Sequence, residues 1–166
     1  MAAIIPRRRD MRVACVVVPH FQVEVERLDQ LALRGRAVVV GGAPEERREV
    51  VDCSPEAMAR GVRAGMPLRE ALSRCAEAAF VEAHPERYRA VTHAMVEALM
   101  EISALVEPAE PGVVYVEIGS APAEMEEGVA RAIAAAAHRA SGLEARVGVA
   151  DGKFQAYVAA MVGGKS

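Results

Sequence analysis

The stretch CSPEAMARGVRAGMPLREAL, residues 53–72, decides how this chain is read. Ser54 stands ahead of Ala57 and Met58 as an N-cap, since a serine oxygen can accept from an orphaned amide of a first helical turn. A short helix opens there and Gly61 closes it. Pro67 has the fixed φ of a first helical position, and it starts a second short helix that runs to about Cys75.

Upstream, residues 37–40 form a short strand closed by Gly41 and Gly42. A polar arm, 43–48, leads to a second strand at 49–52, and the two pair as a hairpin with a long loop. Further back, 11–18 is a β-branched run ended by Pro19, which predicts a strand buried on both faces. Phe21, Val25, Leu28 and Leu31 then recur at helical spacing, and Gly35 stops that helix.

Downstream the pattern is more regular. Residues 79–82 predict a strand. Pro85 opens a long helix in which Tyr88, Val91, Met95, Leu99 and Ile102 share one face. Strands at 105–107 and 113–118 flank a turn at 108–112. A helix from 122 to about 141 turns Met125, Val129 and Ile133 inward and ends at Gly142. A strand at 144–149 and a helix at 153–162 follow. Strand, long helix, hairpin, helix and strand make the split β-α-β plan, so the expected class is α+β, ferredoxin-like, with a small α/β lobe inserted after the first strand. The expected boundaries are a flexible leader at 1–11, a main domain at 12–19 and 79–162, the inserted lobe at 20–78, and a tail at 163–166.

Composition bounds the function. The chain has 166 residues, 52% hydrophobic and 26% charged, as an ordered globular protein should. No apolar run approaches a membrane span, and Pro19-His20 makes a poor signal-peptide cleavage site, so the expectation is a soluble, cytoplasmic protein. Cys15, Cys53 and Cys75 are odd in number and widely spaced, which predicts reduced thiols rather than a disulfide or zinc framework. His20, His84, His93 and His138 are scattered without ligand spacing. The terminal Gly164-Lys165-Ser166 imitates a phosphate loop, but Ala159 stands where that motif needs glycine. The net charge of −3 is unlike that of a chain that grips duplex DNA by itself. Arginines cluster at 7–9, 34 and 36, 47 and 48, and 60, 63 and 69; solvation accounts for most such clusters, and Arg60, Arg63 and Arg69 remain as possible DNA contacts.

Several motifs occur in a fixed order. RGRAVVVGG (34–42), the 53–72 block, HPERYRAVT (84–92), LVEP (105–108) and GVADGKFQA (148–156) together resemble the palm and fingers of Y-family DNA polymerases, the DinB, UmuC and ImuB type. The resemblance covers about 12–162. It implies a ferredoxin-like polymerase palm with residues 20–78 as the fingers. Nucleotidyl transfer by that family needs two metal ions clamping the attacking oxygen and the leaving phosphate, and hard magnesium ions are held by carboxylates. The resemblance places the metal ligands at Val17, Pro19, Gly112 and Val113, none of which is a carboxylate. It places the triphosphate-anchoring Tyr and Arg at Pro55 and Met58. Gln22 falls at the aromatic residue that screens the sugar, beside Phe21, and Lys153 matches a phosphate-contacting lysine.

A retained fold with erased carboxylates is similar to the ImuB type, which lacks polymerase activity and recruits an error-prone replicative-type polymerase and the sliding clamp in translesion mutagenesis. The implied role is a non-catalytic scaffold or adaptor on damaged DNA, with no metal or other cofactor, although magnesium serves active members. Thumb and little-finger domains do not fit after Ser166, so either an excised part of a longer protein or a minimal palm-fingers module is expected, with weak DNA binding and with protein partners held by a missing C-terminal part. Two alternatives stay open: an active nucleotidyltransferase with a displaced metal site at Glu107, Glu110 and Glu117, and a small regulatory ferredoxin-like domain lacking a fingers lobe.

Overall fold

In the computed structural model, residues 12–120 and 122–163 are described. The expected leader at 1–11 and the end of the tail at 164–166 lie outside them. The chain divides into two compact units, one built from residues up to Val18 and from Thr92 onward, the other from Pro19–Val91. No helix among the described residues is long and apolar enough to cross a membrane.

The first unit contains strand β1 (Arg12–Val17), β5 (Val106–Glu110), β6 (Val113–Gly119) and β7 (Arg146–Ala150), in the order β5-β6-β1-β7 with every neighbour antiparallel. This is the ferredoxin-like order that the split β-α-β reading requires. Side chains alternate along β1. Cys15 and Val17 join Val113 and two alanines of helix α6 (Lys153–Val162), Ala156 and Ala160, in one apolar cluster. The other face carries Ala14, Val16, Val114 and Val116, all fully buried. Helix α5 (Ala123–Ser141) also packs against β1 and β7. The Arg12 guanidinium ties it in place, with Nε donating to Glu126 Oε1 at 2.5 Å and Nη2 to Oε2 at 2.8 Å. That partner holds the Glu126 carboxyl below the usual range.

The second unit holds helix α1 (Phe21–Asp29), a 3-10 turn (Leu31–Leu33), β2 (Val38–Val40), β3 (Asp52–Cys53), α2 (Pro55–Met58), α3 (Leu68–Arg74) and β4 (Ala79–Val81). Helix α4 (Pro85–Met100) begins in it and continues past Thr92. The 53–72 block helps build a core of its own: its Cys53, Ala57, Val62, Leu68 and Ala71 pack with Val39, Val50 and Cys75. Ser54 is fully buried and its Oγ accepts twice, from Ala57 N as the α2 cap at 3.3 Å and from Val38 N at 2.8 Å. One hydroxyl thus satisfies two backbone donors that burial would otherwise leave unpaired. A separate fingers-like lobe therefore exists, against the reading as a bare regulatory domain.

Several sequence expectations change. The hairpin partner of β2 begins at Asp52 rather than 49, while Glu49 makes an isolated bridge to Pro67. The strand at 79–81 pairs parallel to β2, so the compact unit runs to Val91 instead of ending at 78. Parallel pairing needs a crossover, and no periodicity along the strand signals its partner. Helix α1 stops at Asp29 because Gln30 is extended, which leaves Leu31 64% exposed and buries Leu33 in its place. Ile102 lies beyond the last residue of α4 and is exposed, as is Met125 in the first turn of α5, whose fully packed half begins at Ile133.

Glu26 replaces Leu28 on the buried face of α1, at 1% exposure. Its Oε1 accepts from the Tyr88 hydroxyl at 2.6 Å. Burial and that carboxylate push the Tyr88 phenol well above its ordinary range. Tyr88→Phe removes a donor from a buried carboxylate and is expected to cost about 1–3 kcal/mol, measured by urea unfolding.

Candidate functional site

The first unit brings together three of the four positions at which the resemblance places metal ligands. Val17 faces Val113 directly across the β1–β6 ladder. The next amide, Val18 N, donates to Gly112 O at 2.8 Å. Gly112 is in the left-handed region at φ 79°, as the tight β5–β6 turn requires. Val17 and Val113 are 4% and 7% exposed, sealed among Cys15, Ala156 and Ala160. Pro19 follows in the chain. An alkyl pair and a glycine offer no carboxylate or other side-chain oxygen to replace the water shell of magnesium, so these positions do not fit the metals that the resemblance implies.

The nearest acids do not gather into a substitute. Glu110 stands beside Val113 in the register but is exposed. Glu107 faces Tyr115 and Glu117 faces Val13. Val13 lies four residues from Val17, about 13 Å along an extended strand. Among the described residues no group of three or more His, Cys, Asp or Glu could hold a metal ion. The trio Glu107, Glu110 and Glu117 proposed from sequence is therefore not assembled.

Lys153 reaches the face of the sheet near Tyr115, whose β1 partner is Cys15, two residues from Val17. It lines an open groove of about 350 Å³ with Val13, Glu107, Tyr115 and Glu117, forms an ion pair with Glu107, and stands 5.6 Å from the centre of the Tyr115 ring.

In the second unit, Phe21 is buried edge-on against Tyr88, with ring centres 6.4 Å apart. Gln22 follows it at the start of α1 and is partly exposed. Pro55 is the first residue of α2, where its missing amide costs nothing, and Met58 ends that helix exposed. Neither can donate to a phosphate from its side chain. One residue that sequence reasoning missed is Asp52. His20 precedes α1 with φ 54° and provides no side-chain cap; its Nδ1 lies 2.7 Å from Cys53 O. Asp52 caps the helix from β3 instead, Oδ2 accepting from Val23 N at 3.1 Å and Oδ1 from Cys53 N at 2.9 Å. Burial still raises its carboxyl above the ordinary value, because the amides offset desolvation only in part. The sequence signal was an acid ending a strand two residues before Ser54.

The three candidate arginines are not equivalent. Arg60 forms an ion pair with Glu77. Arg63 Nη1 donates to Met58 O at 2.8 Å and Val62 O at 2.7 Å, which fixes the head against backbone. Arg69 is exposed and lines a shallow groove of about 270 Å³ with Arg47, Arg48, Glu46 and Glu49, where Arg48 is paired with Glu46 and Glu82.

A sequence profile of the family described as impB/mucB/samB matches residues 16–161. The chain belongs to that family. Family members with similar sequences include DNA polymerase IV of Exiguobacterium sibiricum, 36% identical over 141 residues, which is 84% of this chain and 39% of that protein. DNA polymerase IV 2 of Mycobacterium tuberculosis is 37% identical over 147 residues, 87% of this chain and 42% of that protein. The chain therefore spans about two fifths of the length of these relatives. Among solved structures, the fold is similar to the insertion ternary complex of Dbh DNA polymerase, with a TM-score of 0.81, and to DinB from Sulfolobus solfataricus, with a TM-score of 0.79; each is 24% identical in sequence. Each match covers 90% of this chain and 45% of the other. The fold described above is that of the Y-family polymerase palm and fingers.

Proposed function

We propose that this chain is the palm and fingers of a non-catalytic Y-family protein, acting in DNA damage tolerance as a scaffold or adaptor on damaged DNA. The observation that carries the reading is the Val17–Val113 pair closed by Gly112, which fills the family's metal position with alkyl groups. Pro55 and Met58 at the triphosphate positions support it independently. In this reading the partners are DNA, an error-prone replicative-type polymerase and the sliding clamp, in a cytoplasmic setting.

Manganese titration followed by electron paramagnetic resonance tests the metal half. Free manganese should persist at all ratios up to millimolar, without saturable uptake. Two stoichiometric sites of micromolar affinity would overturn the proposal.

The DNA half has its own expected result. Binding of the chain to primer-template, measured by fluorescence anisotropy, should be weak and should fall with salt at a slope set by the few phosphates neutralised. Arg69→Ala with Arg47→Ala should reduce the slope by about 2, whereas Arg60→Ala should change it little because Glu77 already occupies that guanidinium. Salt-resistant nanomolar binding by this chain alone would contradict the proposal.

A further inference from the structure

Within the Pro19–Val91 unit, the start of α4 is fastened to α1 by a small polar cluster. Glu26 Oε1 lies 2.6 Å from the Tyr88 hydroxyl and 2.6 Å from His84 Nδ1. The carboxylate is buried, but the His84 ring is half-exposed, so its second nitrogen can exchange a proton with solvent. One turn along, Arg87 grips Asp29 with two bonds of 3.0 Å. The charged groups around the ring are Glu26 and Asp29 of α1 and Glu82 just after β4, with Glu82 itself held by Arg48. Arg87 and Asp52 also act on the cluster, the first on Glu26 and the second on Tyr88.

We propose that Glu26, His84 and Tyr88 form a proton-linked latch, in which protonated His84 fastens the first turn of α4 to α1 and loss of that proton loosens this end of the unit. A neutral imidazole can still donate from Nδ1, but the buried carboxylate then loses its nearest exchangeable positive charge. The three acids around the ring favour its charged form, and the hydrogen bond to Glu26 is the largest cause. The folded-state value is thus raised above the ordinary 6.5. The latch's stabilisation is fully present below 6.5 and is lost as pH rises through the raised value.

The test is an NMR titration of the His84 ring beside thermal unfolding of the intact chain at about pH 6 and about pH 8. His84→Gln keeps a donor for Glu26 but cannot titrate. His84 should inflect above 6.5 in the wild type. The wild-type midpoint should fall between the two pH values by more than that of His84→Gln. Glu26→Gln, where it folds, should return the ring to its ordinary value. An inflection at or below 6.5, or an equal fall in His84→Gln, overturns the latch. The His84→Gln comparison decides the matter even if Glu26→Gln does not fold.

Discussion

Primer extension by this chain, or by any longer protein that carries it, is expected to be absent with either magnesium or manganese. In phosphoryl transfer most of the rate comes from positioning and charge stabilisation, and metal ions carry much of both. With Val17, Gly112 and Val113 at the palm centre, nothing there exchanges for metal-bound water. The decisive comparison is templated synthesis by the wild type beside Glu110→Gln with Glu117→Gln. Robust synthesis that vanishes in the double variant would sink the non-catalytic reading and restore a displaced site. Restoring acids with Val17→Asp, Gly112→Asp and Val113→Glu sharpens the point. Two of these carboxylates would face each other across the ladder inside an apolar cluster, at a cost of several kcal/mol without a counter-ion. That variant should melt well below the wild type and regain stability when manganese is added. It should still synthesise little, because Pro55 and Met58 leave the triphosphate unanchored.

Gly148→Val should abolish folding of the sheet unit, with a destabilisation of about 4 kcal/mol or more read from soluble yield and chemical denaturation. Gly148 pairs with Cys15 in the register and faces α6 at its closest approach to the sheet. A Cβ there would lie 2.2 Å from Ala160 N and 2.3 Å from Ala156 O, both backbone atoms of the helix. No rotamer change relieves a clash with backbone, so α6 would have to lift from β7 and expose Ala156 and Ala160. Gly128 in α5 is the control, since a Cβ added there meets nothing within 4 Å. Gly128→Ala should be neutral or should stabilise by about 0.5–1 kcal/mol, through helix propensity alone. Similar behaviour of the two variants would mean that the α6–β7 packing is wrong.

The glycine of GVADGKFQA was visible in the sequence as part of a motif, but its reason was not. The motif showed that a strand passes into a helix; only the packing shows that the helix returns over its own strand so closely that no side chain fits. Lys153 in the same motif illustrates the opposite case. Its sequence match gave it as a phosphate-contacting position, and the fold sets it over the Tyr115 ring and in an ion pair with Glu107, 46 residues away in the chain. Local matching fixes which residue follows which along a strand, while the end of a sheet that each residue reaches depends on antiparallel pairing over more than a hundred residues.

What the sequence by itself determined was whatever short-range chemistry dictates. Ser54 before a helix, Pro67 at a helix start, the β-branched run of β1, the order of strands and helices, and the absence of carboxylates at 17, 112 and 113 can all be read from neighbours a few residues apart. What the tertiary structure decided was long-range. It paired β4 with β2 in parallel, exposed Leu31 and Ile102, sent Asp52 from a strand to cap α1, and buried Glu26 beneath Tyr88 and His84. A carboxylate on a helix face reads as solvated until a donor 62 residues away makes its burial affordable, and no local rule contains that donor.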